Sequence, residues 1–149
     1  MKGISQRELE LPDAVIGKLL ELAVEHKDII SLGPGEPDFI TPKPLRDYTK
    51  KIVDKATHYA APQGNIELRE AICKKLRKDN RINTTPEHVL VTCGSQEAIY
   101  LSFLTSLDVS CQVIVPNPGY LVYTPALELV DATPISLELR EDEDWEINP

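Results

Sequence analysis

The sequence predicts an α/β fold with a mostly parallel sheet and helices on its faces. The first observation is the order of elements after residue 87, where apolar β-branched runs alternate with helical patterns. The runs are 88–92, 111–115 and 133–139, and the helical patterns are 95–107 and 119–130. Strands and helices that alternate at this spacing are joined by right-handed crossovers and pair in parallel. The second observation is the length, because 149 residues can enclose the core of one domain.

The first half of the chain is predicted to be mainly helical. Residues 13–26 place their apolar side chains on one helical face, and residues 65–79 repeat an apolar residue every four positions. Between them, Thr41 is predicted to cap a helix that begins with Pro42. The glycines and prolines of 33–38 interrupt both helix and strand, so this segment is predicted to be irregular.

Charge and composition exclude several classes of protein. Residues 82–149 contain a single basic side chain, Arg140, against 11 acidic ones, so nucleic acid and anionic membranes are not expected as partners. No run of 18 apolar residues and no apolar signal segment occurs. The three cysteines are far apart, and the three histidines lack ligand partners at useful spacing. These features predict a reduced, cytoplasmic protein without a metal site.

A small-residue loop at 92–96 is the strongest indication of a binding site. An apolar run ends at Thr92, Gly94 and Ser95 follow, and a helical pattern begins. The first N–H groups of a helix lack partners within it, and the helix dipole adds about +0.5 charge there, which favours a phosphate. Most Gly-Ser turns before a helix, taken alone, are only tight turns with a capping serine. A second irregular loop, 116–120, follows the next strand, and the two predict a cleft at one sheet edge.

Three motifs occur in order along the chain. They are LGPGEPDF at 32–39, THY at 57–59 with LREA at 68–71, and TCGSQEA at 92–98 with PGYLVY at 118–123. This ordered set resembles the class I/II aminotransferases, which are pyridoxal-phosphate enzymes of fold type I. The resemblance implies a partial three-layer sandwich, the N-terminal part of the large cofactor-binding domain. Residues 1–40 would form an N-terminal helix and arm segment, and residues 41–149 an incomplete large domain.

The resemblance also implies roles for particular residues. Tyr120 matches the aromatic residue that stacks on the pyridine ring of the cofactor. Tyr59 matches a tyrosine whose hydroxyl reaches the phosphate in the neighbouring subunit of a homodimer. Gly35 matches a glycine whose backbone lies against the substrate carboxylate. The residues that match the loop around the cofactor phosphate are Gly94, Ser95 and Gln96.

The chain departs from the family in length and in its lysines. Family members are much longer, and the resemblance places the lysine that bonds the cofactor aldehyde after the segment seen here. No lysine occurs in residues 79–149. We therefore expect the N-terminal portion of an amino-acid aminotransferase, which transfers an amino group from an amino acid to a 2-oxo acid, with no catalytic residue and no activity of its own.

Other functions remain open from the sequence. One alternative is a pyridoxal-phosphate lyase or synthase on the same scaffold. Another is a noncatalytic module that binds a phosphate compound or a partner protein. The identity of the amino-acid donor is also open, because the motifs around Gly35 and Tyr120 are typical of different branches of the family.

Overall fold

The computed structural model describes residues 3–5, 9, 15–26, 28, 30, 32 and 35–147. In this part the helices are α1 (Val15–Glu25), α2 (Lys43–Ile52), α3 (Ile66–Asn80), α4 (Gly94–Ser106) and α5 (Tyr123–Glu128), and the strands are β1 (Gln112–Asn117) and β2 (Thr133–Glu138). Short 3₁₀ turns lie at Val53–Lys55, Pro86–His88 and Glu141–Glu143. Every helix in these ranges is too short or too polar to cross a bilayer.

The two strands form a parallel pair, as the alternating pattern predicts. Ile114 of β1 lies opposite Ile135 of β2, and α5 is the crossover between the strands. The pairing continues beyond the strand ends, because the N–H of Thr133 donates to the Cys111 carbonyl at 2.8 Å and the N–H of Leu139 donates to the Asn117 carbonyl at 2.8 Å. The prediction of an α/β fold with parallel strands is therefore confirmed.

The core lies on one face of this pair. Leu127 of α5 is fully buried, and Val130 and Ala132 complete the cluster. The side chains that pack against it come from α4, β1 and their connection: Tyr100, Phe103, Leu107, Cys111, Val113 and Val115. The opposite face of the pair is uncovered by the described residues, where Ile114 is 69% and Ile135 is 40% exposed. The described chain thus supplies two layers of the sandwich.

Helix α3 belongs to a second, smaller group of contacts. It begins where the Asn65 side chain accepts a hydrogen bond from the N–H of Glu67 at 2.9 Å, which is ordinary N-capping. Its C-cap is Arg81, whose φ of 59° is left-handed. Its partner among the described elements is the 3₁₀ turn Pro86–His88. The loop 92–94 therefore connects this group to the β1–α5–β2 group.

The predicted strand at 88–92 is wrong. Val89 is extended, with φ −114° and ψ 124°, but the segment forms no ladder with another described strand. The N–H of Val91 instead donates to the carbonyl of Gln63 at 3.0 Å, in a turn. A β-branched sequence favours extended backbone, whereas a strand also requires a partner.

Two predicted helix starts also differ from the structure. Thr41 does not cap α2, because Pro42 occupies the N-cap position and no side-chain hydrogen bond caps the helix. Helix 119–130 begins instead at Tyr123. Gly119 lies in a turn so tight that a Cβ there would come within 2.2 Å of the Pro116 carbonyl oxygen, and only after this turn does the chain coil into α5.

Candidate functional site

The loop that precedes α4 is held by its own hydrogen bonds. Gly94 has a φ of +83°, a conformation that glycine adopts without the penalty of a Cβ. Its N–H donates to the Thr92 carbonyl at 2.9 Å, and the Thr92 hydroxyl donates to the Gly94 carbonyl at 2.9 Å. These two bonds fix the direction in which the chain enters the helix.

The next two N–H groups have no partner. Neither the N–H of Ser95 nor that of Gln96 donates to any acceptor in the part of the chain that the structure describes. Both residues are exposed, and the space where Gly94 would carry a Cβ is open. Two free donors at the positive end of a helix fit an anion such as a phosphate. The loop therefore has the donors that its sequence predicts.

Glu97 satisfies a third donor at the same end of the helix. Its carboxylate accepts a hydrogen bond from the backbone N–H of Cys93. The sequence analysis did not predict this contact. Because Glu97 holds the N–H of Cys93, that donor is not available to a ligand.

Tyr120 lies in the loop that follows the carboxyl end of β1. Tyr120 is 45% exposed, and its ring meets the ring of Tyr123 edge to face, with the centroids 5.6 Å apart and the planes at 88°. Gly119 beside it is required by the close approach of the Pro116 carbonyl. Among the described residues, no hydrogen bond or ring contact joins Tyr120 to the loop at Gly94.

Tyr59 and Gly35 lie apart from the loop in this chain. Tyr59 is fully exposed in the segment after α2, where it lines a shallow surface depression with its three preceding residues. Gly35 is exposed, and no atom lies within 4 Å of where its Cβ would be. Of the site residues predicted from the sequence, the structure brings together only the three consecutive ones, Gly94, Ser95 and Gln96.

The two unpartnered donors of the site are backbone groups. Residues 79–149 contain no lysine, and no cluster of metal-ligating side chains occurs in the described ranges. The donors at Ser95 and Gln96 are neutral backbone groups, which hold a charged ligand but cannot attack a carbon or move a proton. The arrangement therefore offers donors of the kind that an anion requires.

The fold is that of an α/β protein with a parallel strand pair, and two N–H groups at the start of α4 lack a partner in the described residues. Residues 27–149 match the family model described as aminotransferase class I and II. The chain belongs to this family, which depends on pyridoxal phosphate. The N–H groups of Ser95 and Gln96 fit the phosphate of that cofactor, and the residues that follow them supply no amine for its aldehyde.

Similar proteins are aminotransferases of prokaryotes. The aspartate aminotransferase of Pyrococcus horikoshii is 36% identical over 147 residues, which cover 98% of this chain and 38% of the relative. The aromatic-amino-acid aminotransferase 2 of Thermococcus litoralis is 36% identical over 148 residues, again covering 98% of this chain and 38% of the relative. The chain therefore spans well under half the length of these curated relatives.

Solved structures agree with this assignment. The aspartate aminotransferase of Thermus thermophilus with maleate superposes with a TM-score of 0.95 and 30% identity, covering 100% of this chain and 40% of that chain. The alanine aminotransferase of Pyrococcus furiosus gives a TM-score of 0.85 at 30% identity, with 98% of this chain and 39% of that chain covered. The fold described above is thus shared over nearly its whole length.

Proposed function

We propose that this chain supplies the phosphate-binding part of an amino-acid aminotransferase. The observation that carries the proposal is the pair of unpartnered N–H groups at Ser95 and Gln96, at the N-terminus of α4. They lie at the positions that match the phosphate loop of the family. The hydrogen bonds between Thr92 and Gly94 fix the turn, and the space beside Gly94 is open, which supports the binding of a phosphate without rearrangement of the loop.

Three further residues are proposed to contribute to the same site. The Tyr120 ring has enough exposed surface to stack on a planar pyridine ring. The hydroxyl of Tyr59 reaches the phosphate held by a second copy in a homodimer, which is consistent with its complete exposure here. The backbone of Gly35 borders the substrate carboxylate, where the absence of a side chain leaves room.

The proposed reaction moves an amino group from an amino acid to a 2-oxo acid in the cytoplasm. Bound pyridoxal phosphate supplies the electron-withdrawing ring and aldehyde that this chemistry needs. The loop at Ser95 and Gln96 holds the phosphate end, and Tyr120 sets the plane of the ring. The relatives named for aspartate and for aromatic amino acids support an amino-acid substrate without selecting one.

The binding proposal is tested by removing one donor from the loop. Proline at the second position of a helix lacks the N–H but keeps a helical φ, so Ser95→Pro deletes the donor and retains α4. We expect Ser95→Pro to weaken the binding of inorganic phosphate about tenfold, equivalent to about 1.4 kcal/mol. Ser95→Ala retains the N–H, so it should lose clearly less phosphate affinity than Ser95→Pro. Equal binding by the wild type and Ser95→Pro would contradict the proposal.

A second candidate that the sequence leaves open is a module that binds a phosphate compound or a partner protein without catalysis. We expect the 149-residue chain to form no glutamate from aspartate and 2-oxoglutarate beyond the rate given by free pyridoxal phosphate, because no amine follows the phosphate loop. A coupled assay for glutamate measures this rate. Clear turnover above the free cofactor would show that another group of the chain replaces the lysine. A lyase or synthase on the same scaffold would give products other than glutamate.

A further inference from the structure

Arg69 of α3 makes an unusual set of contacts. Its Nε donates to the Gly64 carbonyl at 3.1 Å, and its Nη1 donates to the Gln63 side-chain oxygen at 3.1 Å and to the Pro86 carbonyl at 2.7 Å. We call these four residues the Arg69 clasp. One planar guanidinium thus joins the turn before α3 to the 3₁₀ turn after α3. Pro86 in that second turn lies 17 residues after Arg69.

A second, independent contact joins the same two segments. The N–H of Val91 donates to the backbone carbonyl of Gln63 at 3.0 Å. Gly64 has a φ of +100° and lies so close to Val91 that a Cβ would come within 2.5 Å of a Val91 methyl carbon. The segment 86–91 is therefore held at both of its ends: Pro86 is bonded to Arg69, and Val91 is bonded to Gln63.

This fastened segment leads directly into the candidate phosphate loop. Val91 precedes Thr92, whose hydroxyl and carbonyl hold Gly94. On the other side of the loop, α4 packs against α5, and it makes no comparable contact with α3 among the described elements. The entry to the loop is thus placed by the clasp, and its exit is placed by the β1–α5–β2 core.

We propose that Arg69 is a positioning residue for the phosphate loop. This inference rests on the proposed function, because it assigns to Arg69 the placement of the donors at Ser95 and Gln96. The guanidinium holds two carbonyl oxygens and one amide oxygen with charge-assisted bonds, and no described carboxylate is hydrogen-bonded to it. By fixing 86–91 against α3, it fixes the direction in which Thr92 and Gly94 enter the helix. Arg69 touches no ligand in this role and acts through the backbone.

The test compares two arginines of the same helix. Arg69→Met keeps the apolar stem and removes the fork, while Arg77→Met, at a residue that bonds Asn83, is the matched control away from the loop. Equilibrium dialysis of the full chain with inorganic phosphate and with pyridoxine 5′-phosphate, which has no aldehyde to react with lysines, gives the affinities. We expect Arg69→Met to weaken both about tenfold, and Arg77→Met to leave both within about twofold.

Two further measurements separate positioning from general stability. Hydrogen exchange of the peptide covering 92–98 should accelerate in Arg69→Met and stay unchanged in Arg77→Met, whereas a purely structural loss would accelerate exchange throughout the chain. Arg69→Lys keeps the charge but cannot reach three acceptors at once, so it should restore little of the affinity. Full recovery by lysine would overturn the role of the fork.

Gln63→Ala removes one acceptor of the clasp and keeps the test open if Arg69→Met fails to fold. We expect Gln63→Ala to lower the phosphate affinity about threefold. The double variant Gln63→Ala/Arg69→Met should bind phosphate no more weakly than Arg69→Met alone, because both changes break one network. Wild-type binding that survives intact in folded Arg69→Met and Gln63→Ala would overturn the inference. Absence of binding by the wild type would instead overturn the proposed phosphate site itself.

Discussion

At the scale of single residues, Glu87 shows how the groups of a short turn can lower the pKa of a carboxyl group. A hydrogen bond from the Thr85 hydroxyl, followed by one from its own backbone N–H, lowers the pKa of Glu87 below its ordinary value. The Thr85 hydroxyl also forms a hydrogen bond with Nδ1 of His88, at 3.2 Å. The turn Pro86–His88 is thus held by side chains on both sides of Pro86.

A pH dependence follows from this lowered pKa. The stabilisation is present above the ordinary carboxyl pKa and is lost as the pH falls through the lowered value of the folded chain. Because Glu87 is fully exposed, the effect on the whole fold is small. We expect Thr85→Ala to raise the pKa of Glu87 towards its ordinary value, measured by carboxyl ¹³C titration. Thr84→Ala is the control, and an unchanged pKa in Thr85→Ala would contradict the assigned cause.

At the scale of elements, two helices begin with different caps. Asn65 caps α3 with its side chain, whereas Glu97 caps α4 by reaching back to the N–H of Cys93. Both satisfy a donor that the helix leaves free, and Glu97 also places a negative charge at the positive end of the dipole. We expect Asn65→Ala and Glu97→Ala each to lower the free energy of unfolding by about 1 kcal/mol, measured by denaturant melts.

The control for this pair is Glu70→Ala, in the exposed middle of α3. Removal of a carboxylate that caps nothing should change the free energy of unfolding by less than about 0.5 kcal/mol. A loss as large in Glu70→Ala as in Glu97→Ala would show that net charge, and not capping, determines the effect.

The elements that the sequence predicts well are those whose signal is local. Helix α3 is predicted at 65–79 and lies at Ile66–Asn80, because its apolar period and its Asn65 cap are both contained in the segment. Strands β1 and β2 lie close along the chain, so their pairing partner is also near. The segment 88–92 has the same kind of sequence, but Val91 bonds to a turn 28 residues earlier, a partner that its composition does not specify.

The candidate site likewise has one part that the sequence predicts and another part that it does not. The loop at Gly94 was predictable because small residues between an apolar run and a helix leave free N–H groups wherever they occur. The Arg69 clasp was not predictable, because two of its three acceptors are backbone carbonyls, which every residue has. The proposed roles of Tyr59, Tyr120 and Gly35 stay predictions.

At the scale of the whole molecule, the chain exposes far more surface than its mass requires. Its accessible surface is 13144 Å² at 16.6 kDa, whereas a compact monomer of this mass exposes roughly 7,600 Å². Part of the excess is apolar, on the uncovered face of the β1–β2 pair, where Ile114 is 69% exposed. The outer edges of both strands also lack partners among the described residues.

We expect the isolated 149-residue chain to associate, because an open strand edge and an exposed apolar face both favour pairing with another chain. The net charge of −8 opposes aggregation but satisfies no backbone group. Sedimentation equilibrium at micromolar concentration should give a mass above 16.6 kDa. The double variant Ile114→Lys/Ile135→Lys should lower this mass, because it places charge on the exposed apolar face. Val109→Lys, at an exposed residue outside the sheet, should leave the mass unchanged. A monomer with a cooperative melt would show that the chain closes its own core.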